Sequence, residues 1–403
     1  MSDDSKNQAG NLISNTISGV GGDPTAVPDL VGRLLKGRIV LRKVDEGGFG
    51  AVYIVRTYKK GIQNLITDFT FDYTNIPEDE LKEYSIMKVE SNSTEGGCGL
   101  KIEVRILNEI KRIFPGSEQF ADIFSAHRRQ KYSYVFMTLL GKSLKQLMIE
   151  QPNNQFSEST WLRISIQGLY AVKQLHEVGF LHRDIKPANI VLGHGNDPKK
   201  CRFIHLIDFG LARQYLYRDN LGNIMHRMPR PHVDFRGTER YCSISMHFDK
   251  EQNRIDDVWS LLFTFIEMNR ELPWSNTDND RLEEVKKKTK LADILSFLPK
   301  ELDEPLTKLN SLLPLDRPNY EDIYNGFLNC MKKSNYKFDD KYDWEIDIHP
   351  KSPSMEKFGN MQKEFKRNLL AKMIYPKEYY LKMKNPSKEP DKNILTDINV
   401  CLR

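Results

Sequence analysis

The stretch FLHRDIKPANIVLG, residues 180–193, sets polar side chains at fixed spacing between two apolar runs. Asp184 ends the run His-Arg-Asp, Lys186 follows two positions later, and Asn189 follows three positions after the lysine. A carboxylate, an ammonium group and an amide this close together can orient a hydroxyl group, offset negative charge and ligate a metal ion. The alternative, in which Asp184 only caps a turn, gives the lysine and the asparagine no role.

Two further motifs occur in a fixed order around this stretch. Asp208 begins an Asp-Phe-Gly triplet in LIDFGLAR (206–213), and Lys88 lies upstream in IMKVE, on a predicted strand. Glu103 lies in the helical pattern that follows this strand. The lysine, the His-Arg-Asp loop and the Asp-Phe-Gly triplet together reproduce the motif set of protein kinases. Lys88 and Glu103 are therefore predicted to pair and to hold the phosphates of a nucleotide.

The chemistry of phosphoryl transfer assigns a role to each residue of these motifs, because in this reaction the protein mainly positions groups and offsets negative charge. Asp184 is predicted to accept or orient the proton of the substrate hydroxyl. Lys186 is predicted to lie near the transferring phosphoryl group, where a cation compensates developing charge. Asp208 and Asn189 are predicted to hold Mg²⁺.

A glycine cluster lies 38 residues before Lys88 and comprises Gly47, Gly48, Phe49 and Gly50. Taken alone, such a cluster is also typical of an ordinary hairpin turn. Because Lys88 follows on a predicted strand, the cluster is predicted to cover the phosphates of ATP with its backbone amides. Residues without a Cβ allow the chain to approach those phosphates closely.

Several stretches narrow the resemblance further: LLGKSLKQL (139–147), FRGTERYCSISMH (235–247), ELPW (271–274) and YDWE (342–345). They resemble the casein kinase I group of eukaryotic protein kinases, and within it most closely the tau-tubulin kinases. In most other kinases an Ala-Pro-Glu triplet follows the activation segment. Here the sequence has Ser-Ile-Ser at 243–245, which is similar to the Ser-Ile-Asn of this group.

The resemblance implies an α+β, bilobal fold with a small β-rich N-lobe and a large helical C-lobe. It also implies a serine/threonine kinase that uses ATP and Mg²⁺. Asp257 should anchor the catalytic loop, and Arg240 should bind an anion of the substrate. The residues implied at the nucleotide site, besides Lys88 and the glycine cluster, are Val44, Val52, the gatekeeper Met137, the hinge residue Leu140 and the pocket-floor residue Val191.

Three positions depart from the pattern of the family. Asp45 replaces the first glycine of the phosphate-covering loop, and Ile86 fills the place of an alanine that touches adenine. Arg317 corresponds to an arginine that usually pairs with the glutamate of Ala-Pro-Glu, which is absent here. The first two departures keep open an alternative, a catalytically weak or dead pseudokinase that acts as a cytoskeletal or protein-binding scaffold.

Periodicity and composition predict three parts of the chain. Residues 1–35 are predicted to be disordered, and residues 36–335 to form the kinase domain. Its N-lobe spans about 36–139 with an insertion at 58–83, and its C-lobe about 142–335. Residues 336–403 form a basic extension in which apolar residues from Phe358 to Met373 predict one amphipathic helix. This extension could pack on the kinase domain, dock on an acidic partner or inhibit the enzyme.

Composition excludes several classes of protein. The chain has 403 residues, 39% of them hydrophobic, and a net charge of +5, and its five cysteines include no C-x-x-C pair. A disulfide framework, a zinc site, a membrane span and a secretory signal are therefore not predicted. The excess of positive charge lies in the tail, so a nucleic-acid partner is not expected either. These features predict a monomer in the cytoplasm, with the nucleus or microtubules as further possible locations.

The segment between Leu211 and Gly237 contains no serine or threonine, which predicts activity without phosphorylation there. It is rich in arginine, and guanidinium groups suit phosphate and carboxylate. Substrates with Ser or Thr near acidic or phosphorylated residues are therefore predicted, with tubulin or microtubule-associated proteins as candidates. The alternative is a solvated loop whose arginines pair internally. The arginines in and next to this segment are Arg213, Arg218, Arg227, Arg230, Arg236 and Arg240.

Overall fold

A computed structural model describes residues 27–47, 50–59, 72–93, 99–230, 232–347 and 355–375. Within these ranges the chain forms two lobes, as the sequence predicted. The smaller lobe is a twisted sheet with one long helix, and the larger lobe is mostly helical.

The N-lobe is a six-stranded antiparallel sheet in the order β1-β2-β3-β4-β6-β5. Helix α1 (Gly99–Ile113) follows β4 and buries apolar residues at helical spacing on one face. Because β4 pairs with both β3 and β6, its residues lie at the centre of the sheet. The strands are β1 (Leu34–Leu35), β2 (Arg38–Gly47), β3 (Gly50–Thr57), β4 (Tyr84–Ser91), β5 (Ile123–Arg128) and β6 (Tyr132–Met137).

The C-lobe is built around helix α3 (Glu158–Glu177), which is buried along almost its whole length. It packs against α4 and α8, so residues all round the helix are buried, including polar ones such as Arg163 and Lys173. The other helices of the lobe are α2 (Leu144–Ile149), α4 (Arg254–Asn269), α5 (Asn279–Lys288), α6 (Leu291–Leu295), α7 (Asp303–Asn310), α8 (Tyr320–Lys333) and α9 (Met355–Lys366).

Seven short strands, β7 to β13, follow the N-lobe sheet in the described part of the chain and form small sheets. One sheet has the order β10-β9-β7, and β11-β8 and β12-β13 form two separate strand pairs. The β11–β8 pair connects the segment before the catalytic loop with the segment after the Asp-Phe-Gly triplet, and β12 and β13 form a hairpin within that later segment. The strands are β7 (Leu140–Ser143), β8 (Phe180–Leu181), β9 (Ile190–Gly193), β10 (Ile204–Leu206), β11 (Arg213–Gln214), β12 (Leu216–Arg218) and β13 (Ile224–His226).

The basic extension packs on the C-lobe, which was one of the three predicted possibilities. Phe358 stacks on Phe338 at 5.2 Å between ring centroids, and Phe365 stacks on Tyr324 at 4.4 Å. The prediction of one helix from Phe358 to Met373 is wrong at its end, because α9 stops at Lys366. Asn368 then accepts a hydrogen bond from the backbone N–H of Leu370, which favours a turn over a further helical turn.

The amino-terminal boundary also differs from the prediction. Residues 27–35 are ordered: Leu30 is fully buried against the N-lobe sheet, and β1 pairs with β2. The apolar residues of this stretch, VPDLVGRLL, are interrupted by Pro28 and Gly32, so they did not predict a strand. The rest of the segment predicted to be disordered, residues 1–26, lies outside the described residues.

The insertion predicted at 58–83 is described from Asp72 onward, and it touches both lobes. Ile76 is buried against Ile54 and Leu139, the neighbour of the predicted hinge residue Leu140. From the C-lobe, His194 donates to the carbonyl oxygen of Tyr73 at 2.8 Å. The insertion therefore ties the N-lobe to the C-lobe on the outside of the hinge.

Every helix in the described ranges is too short or too polar to cross a lipid bilayer.

Candidate active site

The catalytic loop lies between β8 and β9, and Asp257 of α4 holds its backbone in place. This carboxylate, buried in α4, accepts hydrogen bonds from the backbone N–H groups of His182 at 2.7 Å and Arg183 at 2.9 Å. It also accepts one from His176 Nε2 at 2.9 Å. Burial alone would raise the pKa of Asp257, but these donors and the nearby histidines lower it below its usual value. Asp257 therefore anchors the loop as an ionised group.

Asp184 lies at the centre of a small polar network. Lys186 Nζ is 2.7 Å from one carboxylate oxygen, and the Thr238 hydroxyl donates to the other at 2.7 Å. Lys186 also donates to the Thr238 hydroxyl at 3.0 Å. Asn189 donates to the backbone carbonyl of Asp184 at 2.9 Å. The residues of the sequence motif thus form one hydrogen-bonded cluster, in which the Asp184 carboxylate and the Lys186 ammonium group are in contact.

Two residues of this region have left-handed backbone conformations, Arg183 with φ 70° and Asp208 with φ 63°. Non-glycine residues adopt such angles at a cost, and they persist where the surrounding structure fixes them. Arg183 is held by Asp257 and by its own side chain, which donates to the carbonyl oxygen of Leu211 at 2.7 Å. Backbone strain is therefore present at the catalytic loop and at the Asp-Phe-Gly triplet, as it is at five other residues of the described ranges.

Lys88 links the two lobes through two carboxylates. Its Nζ lies 2.7 Å from Glu103 Oε2 on α1 and 2.9 Å from Asp208 Oδ1. Burial alone would lower the pKa of Lys88, but the two carboxylates reverse this and raise it well above its usual value. Burial raises the pKa of Glu103, whereas Lys88 lowers that of Asp208 despite its burial. The predicted lysine–glutamate pair is formed.

Glu90 is a helix-capping residue beside the site that the sequence analysis missed. It is two positions after Lys88 on β4, and its carboxylate accepts hydrogen bonds from the backbone N–H groups of Gly99 at 2.9 Å and Leu100 at 2.6 Å. These groups begin α1, so a negative charge caps the positive end of the helix that carries Glu103. Residues 88 and 90 share one face of a strand, which was the available signal, but the partners of Glu90 lie nine and ten positions further along the chain.

The Asp-Phe-Gly triplet is packed against α1 and the catalytic loop. Phe209 is buried between Phe120, at 6.1 Å between ring centroids, and His182, at 5.2 Å. A Cβ on Gly99 would lie 3.1 Å from the Cα of Gly210. The start of α1 and the triplet are therefore in close contact, and Phe209 has a packing role.

The residues at this site fit a magnesium nucleotide. Mg²⁺ prefers oxygen ligands and is usually bound by one or two carboxylates together with substrate phosphates. The Asn189 amide nitrogen donates to Asp184, which leaves its oxygen for a metal, and Asp208 supplies a carboxylate. No cluster of three or more His, Cys, Asp or Glu suited to a metal occurs among the described residues, so the phosphates would complete the metal's ligand set.

The apolar residues predicted at the nucleotide site lie between the lobes. Leu140 and Val191 share one buried cluster, and Val44 packs with Ile86 in another. Met137 pairs with Ile86 across the sheet. Val52 faces Lys88 on β4. The predicted residues thus fall in two apolar clusters and on the facing strands β3, β4 and β6.

The glycine cluster is described only in part. Gly47 and Gly50 form the ends of the β2–β3 hairpin, whereas Gly48 and Phe49 lie outside the described residues. Gly50 has φ 143°, and a Cβ there would lie 1.9 Å from the carbonyl oxygen of Val89, so only glycine fits. Asp45 is exposed, and its carboxylate accepts the N–H of Glu46 at 2.9 Å.

Arg240, the predicted anion ligand, is engaged within the protein. Its Nε lies 2.6 Å from Glu267 Oε1, and its Nη2 donates to Ser275 at 3.0 Å. Next to it, the buried Lys286 donates to the carbonyl oxygens of Glu239 and Cys242, each at 2.6 Å. An anion that used Arg240 would have to share its guanidinium group with Glu267.

Arg317 and the Ser-Ile-Ser triplet, which depart from the usual kinase pattern, each bind a carboxylate of the C-lobe. Arg317 pairs with Glu177 of α3 at 2.6 Å, in place of the missing glutamate. Ser243 and Ser245 both donate to the same oxygen of Asp256, Ser243 at 2.6 Å. Burial raises the pKa of Asp256, and these hydroxyl groups oppose that rise. The triplet is thus fixed to α4 through hydroxyl groups instead of through an arginine.

Comparison with known proteins agrees with this geometry. The protein kinase domain family matches residues 75–338. The Caenorhabditis elegans protein K06H7.1, which is named as a serine/threonine-protein kinase, is 35% identical over 84% of this chain and 90% of its own length. The inactive tau-tubulin kinase ttbk-6 of the same organism is 37% identical over 54% of this chain and 77% of its own. The casein kinase I homolog RAG8 of Kluyveromyces lactis is 30% identical over 75% of this chain and 52% of its own length.

These relatives confirm the resemblance to the casein kinase I group that the motifs indicated. The family match covers more than half of the chain and includes the catalytic loop, the Asp-Phe-Gly triplet and Lys88. The chain belongs to the protein kinase family.

Proposed function

We propose that this protein is an active serine/threonine kinase, similar to the tau-tubulin kinases, that transfers the γ-phosphate of ATP to Ser or Thr with Mg²⁺. The observation that carries the proposal is the joint geometry of Lys88, Glu103 and Asp208 with the Asp184 network. Both lobes contribute to it, and a protein without phosphoryl transfer would not need all of these groups in contact.

Each residue acts on the substrate in a defined way. Asp184 accepts or orients the proton of the attacking hydroxyl, and Thr238 and Lys186 hold its two oxygens. Lys186 also offsets the negative charge on the phosphoryl group in the transition state of its transfer. Lys88, aligned by Glu103, binds the phosphates of the nucleotide. When bound, Mg²⁺ neutralises charge on the β- and γ-phosphates.

The second candidate is a pseudokinase scaffold, which the name of the inactive relative ttbk-6 brings into consideration. In this chain Asp45 and Ile86 are the departures that favour it. Asp45 is exposed and hydrogen-bonded to its own backbone neighbour, so its charge is largely solvated. The active enzyme is therefore the better supported candidate.

The test is transfer of labelled γ-phosphate to casein by the wild type and by Asp184→Asn. Asp293→Asn is a matched control, because Asp293 lies on α6 and caps that helix alone. We expect Asp184→Asn to lose at least 100-fold in kcat, as loss of a positioned general base does, and Asp293→Asn to keep it. Absence of transfer by the wild type, with no rise in melting temperature on addition of MgATP, would favour the scaffold.

We also propose a preference for acidic or phosphorylated sites. Arg213 and Arg230 share the single carboxylate of Glu251, at 3.2 and 2.6 Å. Burial, together with the charges of Arg213 and other arginines, lowers the pKa of Arg183 to about 10. Positive charge thus exceeds negative charge beside the catalytic loop, and a phosphate or carboxylate of the substrate would relieve the repulsion.

Substrate choice is tested with one peptide in phosphorylated and unphosphorylated form. Arg236 is exposed in this segment, and Arg236→Gln should reduce the ratio of the two kcat/KM values about threefold to tenfold, since an exposed charge pair contributes roughly 1 kcal/mol. Arg129→Gln, an exposed change of equal charge in the N-lobe, should leave the ratio unchanged. Equal kcat/KM for the two peptides with the wild type would reject the preference.

Tubulin and microtubule-associated proteins are proposed as substrates, with the cytoplasm, the nucleus or microtubules as the location. The name of the relative ttbk-6 and the basic extension support this choice. Co-sedimentation with microtubules at low and high salt tests it. Salt-sensitive pelleting of the full chain is expected, since screening weakens contacts between opposite charges.

A further inference from the structure

The chain beyond α9 returns to the activation segment and pairs with it through one parallel β-bridge. Ile374 donates its backbone N–H to the carbonyl oxygen of Ile224 at 2.8 Å and accepts from the N–H of His226 at 3.0 Å. Met225, between these two residues, faces Ile374 in parallel register. The outer edge of the β12–β13 hairpin is thus paired with residues more than 140 positions later in the chain. We name residues 369–375 the return segment.

Apolar contacts underlie these backbone bonds. Leu370 and Met373 of the return segment are buried with Tyr215 and Leu216 of the activation segment. The fifth member of this cluster is Leu181, which immediately precedes the His-Arg-Asp run. The cluster therefore connects the return segment to the catalytic loop through a single layer of side chains.

The return segment is itself held at its start. The backbone N–H of Leu369 donates to Glu177 Oε2 at 2.7 Å, and Arg317 binds the other oxygen of that carboxylate at 2.6 Å. At its end, the Tyr375 ring stacks on His226 at 6.0 Å between ring centroids. Both ends are thus fixed, one to α3 and one to the activation segment.

The activation segment needs an ordering contact of this kind. Arg183, Arg213 and Arg230 converge near one glutamate, so their mutual repulsion opposes the folded arrangement. In many kinases a phosphate on the activation segment supplies the compensating contacts. Here no Ser or Thr occurs between Leu211 and Gly237, so that modification has no acceptor hydroxyl of this type.

We propose that the return segment is a positioning element that holds the activation segment in its substrate-binding conformation, in the place of a phosphorylated residue. The inference rests on the proposed kinase function for its effect on activity. Its structural part, the ordering of residues 215–227 by residues 369–375, stands on the hydrogen bonds and the shared apolar cluster.

The test uses the full chain with Ile374→Pro, because proline has no N–H to donate to Ile224. Ile374→Ala is the matched control, since the side chain of Ile374 is 43% exposed and alanine keeps the N–H. With casein as substrate, we expect the proline variant to lose about tenfold in kcat/KM while KM for ATP stays within twofold. The alanine variant should stay within twofold of the wild type in both values.

Amide hydrogen exchange gives a readout that does not depend on activity. In Ile374→Pro, amides of residues 216–227 should exchange at least tenfold faster, with those of α3 unchanged. Met373→Ala, which keeps both backbone bonds and removes an apolar contact, should give a smaller acceleration. Unchanged exchange in the proline variant would overturn the proposal, and so would faster exchange with full activity towards casein.

Failure of the proposed function gives a different pattern. If the wild type transfers no phosphate to any Ser/Thr substrate, the kinase proposal fails, and exchange alone decides the structural part. Acceleration in Ile374→Pro but not in Ile374→Ala then supports ordering by the return segment. Equal exchange in all three proteins refutes it.

Discussion

Replacing Glu90 by glutamine should weaken the enzyme although the residue touches neither nucleotide nor substrate. The carboxylate accepts two backbone N–H groups at the start of α1, at 2.9 and 2.6 Å, and is 3% exposed. Glutamine keeps one acceptor oxygen and places an NH₂ group against the other N–H. A lost hydrogen bond to a charged group costs about 1.5–3 kcal/mol, and the lost interaction with the helix dipole about 0.3–1 kcal/mol more.

The expected destabilisation is thus about 2–4 kcal/mol. For a domain of roughly 300 residues the entropy of unfolding near 60 °C is about 0.6 kcal/mol/K, so the melting temperature should fall by about 3–6 °C. Fraying of the first turn also loosens Glu103, one helical turn further on, and with it the pair with Lys88. A loss of about tenfold in kcat, equivalent to about 1.4 kcal/mol, should result.

The assays are calorimetry and casein phosphorylation with Glu90→Gln and Glu109→Gln. Glu109 lies on the same helix, is 37% exposed and pairs with Arg112. Such an exposed pair contributes at most about 1 kcal/mol, so this control should retain activity. A Glu90→Gln protein with wild-type melting temperature and kcat would refute the capping argument.

Two further changes test buried polar groups outside the Asp184 network. Burial lowers the pKa of His205 to about 3, so the unfolded chain binds more protons below pH 6.5 and stability falls as pH drops through that value. His205→Leu should remove about 2 kcal/mol of the loss between pH 7 and pH 5, measured by urea unfolding; parallel curves for both proteins would contradict this. Ser243→Ala removes one of two hydroxyl donors to Asp256 and should cost about 1–3 kcal/mol, whereas Ser311→Ala, an exposed serine, should cost less than 0.5 kcal/mol. Equal melting temperatures for the two serine variants would show that Asp256 does not depend on Ser243.

Local motifs predicted much of the site, because its chemistry depends on residues close together in sequence. Asp184, Lys186 and Asn189 lie within one loop, and their spacing was sufficient to infer their contacts. The pairing of Lys88 with Glu103 also followed from a strand and the next helix. These parts of the fold are determined by neighbouring residues, so sequence alone reveals them.

Contacts between distant segments could not be predicted in the same way. Glu177 is inside a helix, and nothing near it indicates Arg317, 140 positions later, or the backbone of Leu369. The stretch from Glu283 to Phe297 suits a single helix by composition, yet α5 ends at Lys288 and Asp293 caps a new start at Lys290. No apolar residue lies between Val285 and Leu291, so the apolar pattern does not locate the break and only the capping contacts reveal it.

The packing of α9 changes what counts as the smallest unit that can fold. The matched family ends at residue 338, yet Phe358 and Phe365 complete the hydrophobic core of the C-lobe. A polypeptide cut at that family boundary would expose the ring faces of Phe338 and Tyr324 to water and would lose the return segment as well. Burying an aromatic side chain contributes about 1.5–3 kcal/mol, comparable in sum to the whole net stability of many domains. For this kinase, expression limits drawn from family similarity would produce an aggregation-prone protein, and limits drawn beyond Tyr375 would not.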